Sequence, residues 1–279
     1  MAGVNWPGHP VSYNPIIGCG GDDLPCIARC WAKQFCRRGM HPDHRKVAKW
    51  DGTVILREKE LEKPLARKRP TLYAVCLLGD LFHRNVEDDT IDRVFAAMAM
   101  CPQHQFLLLT KKADRMRQWA TTNPNPKELH DRGEAIEETM RSEYATNDQS
   151  TFSVHWPLSN VWTGVSASNQ RDADERIPIL QDTPAAHRWL SIEPCLGPID
   201  LTASGKQGVG EQWIDYISAV VLGCESGPGR RPCPDKWLDD VAEQCRAAGV
   251  PAWVKQRDVN GRVVSQPLPA EWPWVPTPR

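Results

Sequence analysis

Apolar runs of strand length alternate with amphipathic stretches along the 279-residue chain, which predicts an α/β fold. The expected architecture is a partial or complete parallel β/α barrel with a polar insertion. Three observations carry this. Five or six short apolar runs recur, stretches with apolar residues at helical spacing separate most of them, and the runs close on polar residues. Runs without polar alternation suit strands covered on both faces, as in parallel sheets.

The first stretch, YNPIIGCGGDDLPCIARCWAKQFC over residues 13–36, reads as a bent, loop-like segment, because Gly18, Gly20, Gly21 and Pro25 turn the backbone. It gathers Cys19, Cys26, Cys30 and Cys36. A basic segment with His41 and His44 follows, then a charged helical stretch from Leu56 to Arg69 that stops at Pro70. TLYAVCLLGD (71–80) is the first clear strand, and Ile91, Val94, Phe95 and Met98 mark a helix over 87–101 with an acidic first turn. The unit repeats as a strand from Gln105 and a helix from Ala113 that ends near Pro124 and Pro126. Residues 121–157 form a polar, acidic insertion with a helix around 128–144, either a lid or a surface excursion. Alternation then resumes with a strand at 160–168, a helix at 170–181, strands at 187–194 and 217–227, a helix at 235–248 and a strand at 251–256. Residues 1–260 are read as the barrel and 261–279 as a proline-rich strap.

Lys and Arg number 34 against 35 Asp and Glu, a net charge of -1 that argues against a pervasive basic coat while leaving room for a local basic groove. Neither a leader peptide nor a membrane-spanning apolar run is recognisable, so a cytoplasmic protein is expected. In that compartment ten cysteines stay reduced, and ligation explains the clustered ones better than disulfides do. Cys76, Cys101, Cys195, Cys224, Cys233 and Cys245 are scattered and read as small buried apolar residues.

Catalytic groups of parallel α/β folds collect where strands end. Here the ends offer Asp80, Thr110 with Lys111, Ser166, Glu193, Glu225 with Ser226, and Lys255 with Gln256. Three carboxylates and two lysines at one mouth suit a zwitterionic ligand. Cys19, Cys26 and Cys30, spaced C-x6-C-x3-C, can each take one iron of a [4Fe-4S] cluster and leave the fourth iron open. A zinc site on Cys26, Cys30, His41 and His44 competes, although H-x2-H is shorter than the usual finger spacing. Inert thiols are the third reading. GCESGPGRRP, with Arg230 and Arg231, offers a phosphate grip. Basic runs at Arg37, Arg38, Arg45 and Lys46, and at Arg67, Lys68 and Arg69, can track a DNA backbone or form solvated faces.

Blocks spanning nearly the whole chain resemble a phage-encoded three-cysteine family of radical S-adenosylmethionine proteins. They are YNPIIGC with CIARCWA, GDLFH, FLLLTKK, NVWTGVS, ADERIP, TPAAHRWLSIEPCLGPIDL, GCESGPGRRP and AGVPAWVKQ. The resemblance implies a barrel of the radical S-adenosylmethionine type, a [4Fe-4S] cluster on Cys19, Cys26 and Cys30, and S-adenosyl-L-methionine cleaved reductively with help from an electron donor. It implies an isomerase of thymidine hypermodification in bacteriophage DNA, turning an N-linked glycyl-thymidine, in DNA or as a nucleotide, into its Cα-linked isomer. A pyridoxal-phosphate (PLP)-dependent decarboxylase would follow, and the altered base would aid restriction evasion. Trp31 offers an aromatic face to adenine. From their places at strand ends, Asp80, which closes the first strand in a Gly-Asp pair, Ser166 and Glu225 are read as cofactor-binding, with a capping or solvated role the alternative for Asp80. Glu193, Lys111 and Lys255 are read as acting on the substrate, with a salt bridge to an arginine the alternative for Glu193 and plain surface exposure for the lysines. The alternative is a zinc-stabilised, non-catalytic nucleic-acid-binding protein. Relatives tend to carry a two-residue gap before the last of the three cysteines and Tyr after it, and Trp-Gly and Gly where this chain has Arg257-Asp258 and Cys224.

Overall fold

Strands that follow one another in sequence also lie side by side in the computed structural model, which describes residues 5–21, 26, 29–122, 132–144, 154–202, 212–227 and 229–275. The eight-stranded sheet has the order β1-β4-β5-β6-β7-β8-β9-β10. Its strands are β1 (Val11–Tyr13), β4 (Leu72–Val75), β5 (Gln105–Thr110), β6 (Val161–Ser166), β7 (His187–Ile192), β8 (Ala219–Gly223), β9 (Ala252–Val259) and β10 (Arg262–Ser265). All neighbours pair in parallel except β9 with β10. A short antiparallel pair, β2 (Ile16–Ile17) with β3 (Ile55–Leu56), stands beside it. The fold is therefore α/β on a mostly parallel sheet, as the alternation predicts.

Right-handed crossovers in an unreversed order put every connecting helix on the same face. Apolar residues of α4 (Asp88–Ala99), α5 (Ala113–Thr121), α7 (Gln170–Gln181) and α8 (Asp235–Ala247) accordingly share one core with Tyr73, Val75, Phe106, Leu108, Val165, Leu190 and Leu222 of the strands. The alternate strand residues turn to a face without helices. There Leu72, Ala74, Leu107, Trp162, Trp189, Val221 and Trp253 pack with Trp6, Trp272 and Trp274 from the two ends of the chain. Six indoles thus fill the amino-terminal half of that face. Gly164 is required by them, since a Cβ there would lie 2.4 Å from Trp189 Nε1. The Trp189 indole donates to the carbonyls of Leu108 and Trp162, both at 3.1 Å.

Several boundaries differ from the sequence expectation. The 71–80 run is strand only to Val75, because Cys76 turns into the left-handed region at φ 53°. The helix expected over 56–69 is reduced to α3 (Glu58–Leu61), as Pro64 lacks the N–H that would extend it. Part of the supposed loop is helical, α1 (Trp31–Arg37), and α2 (Pro42–Val47) follows it. Within the insertion, α6 (Arg132–Tyr144) packs on α4 and buries Ile136 and Met140 in the helix-side core. The remaining insertion positions, 123–131 and 145–153, lie outside the described residues. A boundary at 260 splits a hairpin, since β9 and β10 join through Asn260 and Gly261 at φ 49° and 76°.

Candidate functional site

The cysteine segment is held against the turn at 50–53 and the loop after β4 by close backbone contacts that only glycine permits. A Cβ on Gly18 would lie 2.1 Å from the Thr53 carbonyl oxygen and one on Gly20 1.9 Å from that of Trp50, with φ of 97° and 95° at the two glycines. Gly18 bridges Gly79, and its N–H donates to Leu78 at 2.8 Å. The fully buried His83 accepts from the Asn85 N–H at Nδ1 (3.2 Å), so Nε2 carries the proton it donates to the Gly20 carbonyl at 2.8 Å. Arg84 donates to the Gly21 carbonyl and Asn85 to that of Gly52. The GDLFH block is thus the clamp of the cysteine segment.

Of the ten thiols, Cys19, Cys26 and Cys30 are partly exposed and the other seven are buried. Burial pushes the Cys26 thiol above its ordinary value, the nearby Lys111, Lys112 and Arg176 pull it down, and Cys30 raises it further. Cys26 therefore belongs to the electrostatic field at the ends of β5 and β6. Cys36 packs with Ile17, Ala32, Val47, Trp50 and Leu78, and burial, helped by Cys30, raises its thiol to about 11. Its role is packing.

The zinc set does not assemble. His41 accepts from the Asp43 N–H at 3.2 Å as the cap of α2, while the His44 ring, its pKa lowered by burial, leans on Phe35 at 5.5 Å between centroids. Among the described residues, no three His, Cys, Asp or Glu side chains form a group able to hold a metal ion, and this holds for Cys19, Cys26 and Cys30 as it does for the zinc set.

Across β8, Glu193 and Lys255 form an ion pair at 2.8 Å. Glu193 also accepts from the Trp6 indole at 2.8 Å and from Ser191 Oγ at 3.4 Å. Gly223 lies between the pair's strands, where an added Cβ would stand 3.5 Å from Glu193 Oε1 and 3.2 Å from Gln256 Cγ, so the missing side chain leaves room for the crossing. In the next register position, Ser166 faces Ser191 on β7, and its buried Oγ has no hydrogen-bond partner among the described residues. Arg176 fixes the end of β6 by donating to the Ser166 carbonyl at 2.6 Å, and it pairs with Asp172 at 3.1 Å. Ser191, Arg176 and Trp6 are absent from the sequence-derived set. ADERIP and the apolar closure of HRWLSI are the only signals that pointed near two of them.

Four expected ligand residues, Asp80, Glu225, Arg230 and Arg231, are already engaged within the protein. Asp80 Oδ1 accepts from Thr110 Oγ1 at 2.7 Å and from the Phe82 N–H at 3.0 Å, and Oδ2 accepts from the Lys111 N–H at 3.1 Å. Glu225 accepts from the backbone and guanidinium of Arg231 at 2.5–3.0 Å and from Arg29 at 3.5 Å, which holds its carboxyl below the ordinary range. Arg230 pairs with Asp258 at 3.1 Å, so the two arginines read as a phosphate grip serve as internal ties. Arg257 bridges Asp235 and Asp239 on α8. Trp31 stands half exposed at the start of α1, its edge toward Phe35.

A family model described as "Protein of unknown function (DUF5131)" matches residues 2–265. No curated protein and no solved structure matches the chain.

Proposed function

From a chain that belongs to the DUF5131 family, we propose a radical S-adenosylmethionine isomerase of phage thymidine hypermodification, built on a partial β/α barrel. It would convert an N-linked glycyl-thymidine into its Cα-linked isomer. One observation carries the reading: the partly exposed thiols are the three of C-x6-C-x3-C, and Cys26 shares a field with cations at the strand ends. A single metal ion needs donors converging on one point, whereas a [4Fe-4S] cluster gives each thiolate its own iron. Cys19, Cys26 and Cys30 would hold that cluster, leaving one iron for S-adenosylmethionine. When bound, the cluster supplies the electron for cleaving that cofactor to a hydrogen-abstracting radical.

The chain's own residues bind, orient and exclude water. Lys255 suits the carboxylate of a glycyl group and Glu193 its amine, the two charges already held 2.8 Å apart. The unpartnered Ser166 hydroxyl is open to a ligand donor or acceptor. Beneath them the indoles of Trp6 and Trp189, 5.0 Å apart edge to face, close the amino-terminal side to water.

Anaerobic reconstitution tests the reading. A brown protein with about four irons that yields 5′-deoxyadenosine on reduction is expected, and a colourless protein with stoichiometric zinc sinks the proposal. Cys30→Ala should abolish cofactor cleavage while the buried Cys245→Ala retains it. Equal loss in both variants would assign the Cys30 effect to packing.

A further inference from the structure

Charge is strongly segregated in this near-neutral chain. Residues 31–50 carry six Lys or Arg (Lys33, Arg37, Arg38, Arg45, Lys46, Lys49) against one acid, Asp43, a local net of +5 in a chain of -1 overall, leaving -6 for the rest. Asp43 is already shared by Lys46 at 3.2 Å, His41 at 3.4 Å and Arg57 at 3.5 Å. Arg37, Arg38 and Arg45 are exposed and form no ion pair among the described residues. The turn between α1 and α2 brings Arg45 beside the end of α1, where Arg37 and Arg38 stand: a Cβ on Gly39 would lie 3.1 Å from Arg45 Cγ. Trp31 and Met40, 54% and 76% exposed, stand on the same twenty residues. The platform is firmly founded, because Ala32, Cys36 and Val47 anchor both helices in the cluster that Cys19 and Cys30 border.

We propose that the exposed face of α1 and α2 is a docking surface for a nucleic-acid strand, delivering it beside Cys30. Arginines without carboxylate partners suit phosphates, and an exposed indole suits a nucleobase; together they make the combination that binds single strands without reading sequence. An acidic protein would satisfy the charge and leave the indole unexplained. The inference rests on the proposed function only for the nature of the polymer.

Fluorescence anisotropy of the full chain with a labelled, unmodified single-stranded oligodeoxynucleotide tests it, without cofactor or turnover. The Arg37→Glu/Arg38→Glu/Arg45→Glu variant should weaken binding more than about tenfold at 0.1 M salt, and the slope of log affinity against log salt should shrink by about two, at roughly 0.7 per lost phosphate contact. Trp31→Ala should weaken binding about fivefold with the slope unchanged. Unaltered affinity in the triple variant, or no binding by the parent chain, overturns the proposal. So does polyglutamate displacing the strand as well as unlabelled oligonucleotide does, which would assign the face to an acidic protein. Because the assay contains no cofactor, these outcomes are separate from a failure of reconstitution.

Discussion

Ser166 and Asp80 are both polar residues at strand ends, yet they stand in opposite hydrogen-bonding states. Asp80 uses both oxygens to tie β4's loop to Thr110 and Lys111, while Ser166 Oγ is buried and unpartnered. A buried hydroxyl without a partner carries a desolvation cost that no hydrogen bond offsets, so Ser166→Ala should leave the unfolding free energy unchanged or raise it, by up to about 1–3 kcal/mol. The same substitution should lower cofactor or substrate affinity. Urea unfolding beside equilibrium ligand binding checks this, and a stability loss without a binding change would make Ser166 structural. At this scale the sequence indicates which residues end the strands, but not which are already satisfied. The partners that decide this, such as Trp6 for Glu193 and Arg231 for Glu225, come from loops whose path no local pattern encodes.

Elements were legible where one period persisted. The helix at 170–181 has the predicted bounds, and β5 begins at Gln105 as expected, because their apolar faces are continuous. Short pieces were missed: β1, β2 and α1 are two to seven residues long and owe their form to the clamp. Asn260-Gly261, a strong hairpin signal, straddles the boundary between the expected barrel and strap. Between elements, Glu225 ties the loop after β8 to Arg29 of the cysteine segment. Glu225→Ala should therefore speed tryptic cleavage after Arg230, read by mass spectrometry of limited digests at neutral pH. Since Arg231 depresses the Glu225 pKa, the tie is present above the ordinary 4.5 and is lost as pH falls through the lower folded value, so the loop of the parent chain should loosen in acid, read there by hydrogen exchange of its amides. Cleavage rates equal in parent and variant would exclude the tie as the loop's restraint.

On the scale of the whole molecule, burial of thiols sets an alkaline limit. It raises Cys101 to about 11, and Cys76 and Cys245 to about 12, from an ordinary 9.0. Above pH 9 the unfolded chain releases these protons while the folded chain keeps them, so stability falls as pH rises, by up to about 1.4 kcal/mol per pH unit for each thiol. Melting temperature should hold to pH 8 and drop between pH 9 and 11; a flat profile to pH 11 would contradict the burial. No helix among the described residues is long and apolar enough to cross a membrane. The α/β class was readable because the parallel strands are covered on both faces. What covers the helix-free face was not, since its tryptophans come from both ends of the chain and no local period announces them.

Those indoles also make the molecule a chromophore with a fixed geometry. Trp274 is a hub that meets Trp272, Trp162 and Trp189 edge to face with centroids 5.3–5.4 Å away, an arrangement that gives strong near-ultraviolet ellipticity only while the packing is rigid. Trp274→Ala should cost about 3–5 kcal/mol and remove much of that signal at constant far-ultraviolet amplitude. The chain thus carries its own optical gauge, through which the seating of its last turn on its first can be followed without a label.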